Sequence, residues 1–250
     1  PRFLARFPNV QALAQAEQGE VLALWSGLGY YSRARNLHRC AQAVVADHGG
    51  AFPQTWALLQ TLPGIGASTA AAIAAFCFGE RVSIVDGNVR RVLSRLLAFE
   101  GDLAKTPAQR ALWDLAQTLV PEPGDSQAED MQAYTQGLMD LGATLCTRSR
   151  PACERCPVQG LCQAHASHQV ARFPIKIKTL KRRSESWWLL CHFDPSEGGW
   201  VWLEQRPQTG IWAGLYCPPV WADEAPLRER LSGVALAAID HRPAVSHALT

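Results

Sequence analysis

At 250 residues and 27.4 kDa, with 48% hydrophobic residues, the chain has material for two modest cored domains. No apolar run approaches the roughly 18 residues of a membrane-spanning helix, and Pro1 to Val10 lack the apolar core of a signal peptide. A net charge of +2 is too small by itself to imply a polyanionic partner, but its distribution says more. Residues 30–95 carry seven Arg against Asp47, Glu80 and Asp86, and residues 147–183 carry nine Lys or Arg against Glu154 alone. Residues 100–130 run the other way, with seven acids against Lys105 and Arg110. That segregation suits a basic face on a duplex with an acidic back. Pro1 is not a usual start and Thr250 falls within what reads as a strand, so the sequence is expected to be a fragment truncated at both ends.

Apolar residues recur at helical spacing over Phe3–Phe7 and Val10–Trp25, break at Gly27 and Gly29, and resume over Arg33–Gly49. On spacing alone, Tyr30 and Tyr31 read as packing residues. An aromatic on a glycine turn followed by Arg33 and Arg35 also suits a wedge that enters a base stack while arginines hold phosphates.

Phe52 to Leu62 forms a short helix leading into Leu62-Pro63-Gly64-Ile65-Gly66. Its two glycines allow positive φ and close approach of another backbone. An apolar helix from about Ser68 to Phe78 then leaves the hairpin N–H groups at a helix N-terminus, where a phosphate is favoured. The same five residues also serve as an ordinary helix–helix turn. Beyond them, Asp86 stands in Val85-Asp86-Gly87-Asn88, opening a second helix that carries Arg90, Arg91 and Arg95. Asp is a preferred N-cap; an anion there, held by helix N–H groups and by Asn88, also suits the stabilisation of a developing sugar cation. The two roles are compatible.

Ala108–Leu119 reads as a helix, Pro121–Asp130 as a polar loop and Gln132–Leu145 as a helix delivering Cys146. The spacing of Cys146, Cys153, Cys156 and Cys162 is C-x6-C-x2-C-x5-C. Disulfides do not suit a chain without secretion signals. Zinc sites usually hold two close pairs across a longer loop, whereas a four-iron cluster accepts varied spacings, which favours the cluster without deciding it. Arg148 and Arg150 lie in the loop between the first two cysteines. Cys40, Cys77, Cys191 and Cys217 are scattered and read as buried packing. A basic stretch, FPIKIKTLKRR, precedes a change to strands and turns from Ser184 and a helix near Ala225–Leu231.

Taken together, GLGYYSRARNL at 27–37, LPGIG followed by VDGNVRRVL, the four spaced cysteines and GIWAGLYCPP at 210–219 resemble the adenine DNA glycosylase family of the helix-hairpin-helix, or endonuclease III, superfamily. The resemblance implies a mostly α fold, a helix-hairpin-helix glycosylase of two helical subdomains with an iron-sulfur loop, followed by a truncated α+β Nudix-like domain. It divides the chain into a glycosylase domain at 1–165, a basic linker at 166–183 and a lesion-recognition domain at 184–250. It implies a 4Fe-4S cluster on Cys146, Cys153, Cys156 and Cys162, and a monomer, free of membranes and associated with the bacterial nucleoid, acting on double-stranded DNA with an adenine mispair.

By the same resemblance Asp86 is the stabilising carboxylate, with Asn88 and Ser68 beside it, and the acid is a Glu preceding Pro1. Tyr30 is the intercalating residue, and Arg33, Leu62, Gly64, Gly66, Arg90, Arg148 and Arg150 hold DNA. Leu249 and Thr250 begin the loop that reads 8-oxoguanine. Where strand-cutting relatives place a Schiff-base Lys after the hairpin, this chain has Ser68, and its first Lys is Lys105. The expected reaction is therefore plain hydrolysis; Ser68 serves either the base pocket or as a helix N-cap. An endonuclease III-like lyase, a DNA-binding module without catalysis and a Nudix-type hydrolase are the alternatives. ADEAPLRERLSG lacks the repeated Glu spacing that the last of these needs.

Overall fold

Four alanines place the helix at the centre of the first unit. In α6 (Ala67–Phe78), Ala70, Ala71, Ala74 and Ala75 are fully buried, and side chains this small let neighbouring helices approach closely. Those neighbours are α5 (Trp56–Leu59) and α9 (Gln127–Asp140). α6 stops at Gly79, whose φ of 65° is the left-handed cap that glycine adopts without strain. Glu80 follows at once and its Oε2 accepts from the Trp56 N–H at 2.5 Å, so the end of α6 holds the start of α5. The Trp56 indole donates to Ala67 O at 3.0 Å and stacks on Trp113 at 6.0 Å.

The computed structural model describes residues 2–122, 127–175, 184–194, 199–234 and 239–246. It resolves into two units, Pro1–Leu24 with Arg33–Leu180, and Trp25–Ser32 with Lys181–Thr250. The first is helical: α1 (Arg2–Arg6), α2 (Val10–Ala14), α3 (Gln18–Leu24) and α4 (Tyr31–His48) precede α5, while α7 (Gly87–Leu96) and α8 (Thr106–Thr118) follow α6. Val89 and Leu93 of α7 meet Ile84, Val85, Leu103, Leu112 and Ala116 in a buried cluster. Residues 80–86, the approach to α7, join no strand ladder among the described residues. Gln117 of α8 supplies a partner instead, accepting from Ser83 N at 3.0 Å and donating to Arg81 O at 2.9 Å. Such pairing is required of buried backbone polar groups.

The polar loop expected over Pro121–Asp130 is shorter, since α9 already begins at Gln127. Its continuation, Leu141–Leu145, winds as a π-helix rather than the α-helix that the periodicity suggests, and the short α10 (Gln163–Ala166) follows Cys162.

The second unit contains β1 (Trp188–Leu189), β2 (Phe193–Asp194), β3 (Trp200–Val201), β4 (Glu204–Gln205), β5 (Tyr216–Cys217), β6 (Val220–Trp221) and α11 (Glu224–Arg230). The strands pair antiparallel as β1–β6, β2–β3 and β4–β5, in two-stranded ladders. Arg206 lies over the Trp187 ring at 5.1 Å, and Trp187 meets Trp212 edge-on at 5.7 Å. Of the scattered cysteines only Cys40 is buried as expected; Cys77 and Cys191 are exposed and Cys217 is half-buried. Leu249, Thr250 and the basic run 176–183 lie outside the described residues. Among those described, no helix is long and apolar enough to cross a membrane.

Candidate active site and cluster loop

The hairpin between α5 and α6 uses its glycines in two different ways. Gly64 has φ +78°, and a Cβ there would meet Asn36 Cβ at 2.4 Å, so both backbone and packing exclude a side chain. Gly66 does not share that conformation, contrary to the expectation from its type. It is the N-cap of α6 with φ −82° and ψ 170°, and open space lies where its Cβ would be. The N–H groups of Gly66, Ala67, Ser68 and Thr69 find no acceptor among the described residues. These are the free donors that a helix start presents. Leu62 is 4% exposed, so its side chain serves the core and only its backbone is left for a ligand. Gly64→Ala is expected to cost about 3 kcal/mol from left-handed strain and overpacking together, and Gly66→Ala close to nothing. Thermal unfolding of the two variants checks the contrast.

Asp86 caps α7. Its Oδ1 accepts from Asn88 N at 2.9 Å and Val89 N at 2.7 Å, and the residue is half-buried. The other carboxylate oxygen has no protein donor among the described residues. Ser68 is not an N-cap, the place that Gly66 occupies; from the first turn of α6 its hydroxyl donates to Val85 O at 2.9 Å. One hydrogen bond thus joins the hairpin helix to the residue preceding the carboxylate. Asn88 holds Asp86 through its backbone N–H rather than its side chain, whose Oδ1 accepts from Arg91 Nη2 at 2.9 Å.

The three arginines of α7 part company. The side chain of Arg90, a half-buried residue, makes no hydrogen bond or ion pair to a described residue. Arg91 donates from Nε to Cys146 O at 2.7 Å and from Nη2 to Gly142 O at 2.6 Å. A Cβ on Gly142 would meet Asn88 Cβ at 2.8 Å, so the π-helix and the first turn of α7 are in close contact. Arg95 is buried and reaches the cluster loop, with Nη1 on Thr147 O at 2.8 Å. The 88, 91, 95 spacing places these three on one helical face. That spacing is the sequence signal that sets Arg91 and Arg95 apart from Arg90.

Cys146, Cys153, Cys156 and Cys162 line a single small cavity of about 30 Å3 with Arg95, Leu145, His165 and Val170. Among the described residues no three His, Cys, Asp or Glu side chains converge on a position for one metal ion. Four thiols spread around one apolar space, with no three on a common point, suit a group of several irons, each taking one sulfur, better than a single tetrahedral ion. Burial pushes the Cys153 thiol up, as do Cys146, Cys162 and Cys156, while Arg95 pulls it down. A core that binds thiolates would supply what that crowding lacks. Arg148 and Arg150 point outward, while their carbonyls accept from Arg95 Nη2 at 3.2 Å and Thr147 Oγ1 at 2.7 Å.

Tyr30 follows Gly27 and Gly29, at φ +85° and +69°, and itself has φ +47°. At 54% exposure it does not take the core-packing role that spacing alone favours. A strained, exposed aromatic is a feature associated with function. Arg33, on α4, is exposed.

The sequence model of the HhH-GPD superfamily base excision DNA repair proteins matches residues 1–118, and that of the iron-sulfur binding domain of endonuclease III matches 146–162. The chain belongs to the HhH-GPD superfamily of base excision DNA repair proteins, and residues 146–162, with their four spaced cysteines, are its 4Fe-4S binding segment. Within it the chain is similar to adenine DNA glycosylases. It is 33% identical over 219 residues to that of Buchnera aphidicola subsp. Acyrthosiphon pisum, covering 87% of this chain and 60% of the relative. It is 47% identical over 258 positions to that of Mus musculus, covering 86% of this chain and 48% of the relative. The chain therefore spans about half to three fifths of these curated relatives. Among solved structures it is similar to a thermostable thymine-DNA glycosylase, with 30% identity, a TM-score of 0.57, and coverage of 66% of this chain and 74% of that one.

Proposed function

We propose that the chain belongs to a monofunctional adenine DNA glycosylase that hydrolyses the N-glycosidic bond of adenine mispaired with 8-oxoguanine or guanine in duplex DNA. The observation that carries this reading is the Ser68 to Val85 hydrogen bond, which couples the phosphate-ready hairpin to Asp86. The free N–H groups of Gly66 to Thr69 take a backbone phosphate, and Arg33, Arg90, Arg148 and Arg150 hold the flanking strand. Tyr30 enters the stack beside the lesion. The adenine leaves the duplex at a cost of about a few kcal/mol, less at a mismatch. The Asp86 oxygen not engaged in the cap faces the sugar as positive charge develops there, and water completes the hydrolysis. The cluster's contribution is structural, the ordering of the loop that bears Arg148 and Arg150. No residue among 1–250 is assigned as the acid that protonates the leaving base.

A lyase needs an amine where Ser68 stands, and the Ser68 hydroxyl already donates to a carbonyl. We assign 1–165 to the glycosylase domain, 166–183 to a linker and 184–250 to a Nudix-like lesion reader that opens its contact loop at Leu249 and Thr250. The short antiparallel strands and α11 support that assignment. Such an enzyme works as a monomer on the bacterial nucleoid.

The test is single-turnover base release by the full natural protein on duplexes with adenine opposite 8-oxoguanine, guanine or thymine, with and without alkali. Release is expected to be at least about tenfold faster at the two mispairs than opposite thymine, a 1.4 kcal/mol difference in barrier. Strands should break only after alkali. Equal rates on all three duplexes, or breakage without alkali, would refute the proposal.

A further inference from the structure

One cation of α7 has been taken out of water without an acidic partner. Arg95 is 3% exposed, and no carboxylate among the described residues pairs with it. A guanidinium does not shed its proton to escape burial, and an uncompensated buried charge is costly. Its donors are met by Val170 O at 3.1 Å and Phe173 O at 3.2 Å from Nε, Thr147 O at 2.8 Å and Cys146 Sγ at 3.3 Å from Nη1, and Arg148 O at 3.2 Å from Nη2. Four of these acceptors are neutral carbonyls, which satisfy the hydrogen bonds and leave the charge. The fifth is a cluster ligand, and Arg95 lines the same cavity as all four cysteines.

We propose that Arg95 is the resident counter-ion of the iron-sulfur cluster and the clasp that closes the loop around it. Four thiolates outweigh the positive charge of an iron-sulfide core, so the bound group is a net anion, and charge and hydrogen bonds near its sulfurs set its potential. Thr147 and Arg148 lie between the first two ligands and Val170 and Phe173 lie beyond the last, so one side chain holds both flanks of the binding segment. The carbonyl of Arg95 completes the contact, accepting from Cys162 Sγ at 3.4 Å. Arg91 differs: it is half-buried and bonds to backbone oxygens and Asn88, with no bond to sulfur. Arg95 is a positioning residue for the cluster, and its role is independent of base release.

The experiment uses the full chain purified with its cluster. It reads iron and acid-labile sulfide per chain, and the midpoint potential of one-electron oxidation at an electrode that accepts the electron. Arg95→Gln is expected to lower loading by about twofold or more and to shift the potential of the remaining cluster negative, because the more anionic state loses its counter-charge. Arg95→Lys keeps the charge with fewer donors, so its potential should stay near that of the wild type while loading falls. Wild-type loading and potential in Arg95→Gln, or an equal negative shift in both variants, would overturn the proposal. Should Arg95→Gln fail to accumulate folded, hydrogen exchange on the wild-type protein before and after iron chelation decides. Residues 145–173 are expected to lose protection ahead of α4 and α6, and unchanged protection there would also overturn it.

Discussion

Asp86→Asn should yield a protein that folds as before and releases adenine on the order of 1,000-fold more slowly. Asn and Asp cap helices about equally well, and an amide oxygen at position 86 still accepts from Asn88 N and Val89 N, which the carboxylate does at 2.9 and 2.7 Å. The change therefore removes charge while leaving the hydrogen bonds of the first turn. Loss of a group aimed at charge that forms in the transition state commonly costs about 100- to 1,000-fold, and a full anion beside a sugar cation belongs at the upper end. Asp86→Ala, in contrast, should cost about a further 1 kcal/mol of stability through the lost cap. The measurement is single-turnover release with thermal unfolding of both variants and duplex affinity beside it. A melting temperature that falls as far in Asn as in Ala would overturn the claim that this exchange removes the charge and leaves the cap.

Gly142→Ala carries the second large effect. The new methyl would stand 2.8 Å from Asn88 Cβ and 3.1 Å from the Asn88 carbonyl carbon and oxygen, and the backbone atoms among these have nowhere to turn. Asn88 is the residue whose N–H holds Asp86, so the strain falls on the turn that aims the carboxylate. Destabilisation of about 1–3 kcal/mol is expected, a drop in melting temperature of about 5 °C for a chain of this size, with release slowed by about tenfold or more. Gly137→Ala is the control. That position lies on the exposed side of α9 with nothing within 4 Å of a Cβ, and the exchange should raise stability by up to about 1 kcal/mol. If the two variants melt alike, the contact between the π-helix and α7 is not what glycine at 142 protects.

Much of the hairpin and of the carboxylate turn is legible in residue types alone. The alanine-rich run after LPGIG has to be a helix, and Gly64 needs a conformation that other residues resist. Asp before Gly87-Asn88 is a helix start on the same grounds. The cysteine spacing narrows the metal without choosing it, because spacing carries no information on whether four sulfurs meet at a point or surround a space. What is not legible depends on partners far along the chain. Gln117 stands in for a missing strand, and nothing in its helix marks it for that role. Arg90 and Arg91 are adjacent and chemically identical, yet only the second turns toward the cluster loop. Gly66 is the same residue as Gly64 and takes a different backbone, since residue type says which conformations are allowed and not which is adopted. For 184–250 the alternating apolar runs indicate strands, but the pairing of short strands depends on contacts spread over the whole segment.

The wide turn at Leu141–Leu145 has a bearing on how this protein tolerates length changes. Cys146 N bonds to Leu141 O at 2.7 Å, a five-residue step that holds one residue more than an α-turn. Dropping any single position there would tighten the coil to ordinary pitch and swing the first sulfur ligand by about 100° around the axis. Arg91 would then be left grasping at a carbonyl that had rotated away. The residue tally of that turn, as much as its composition, is what keeps iron and carboxylate in phase.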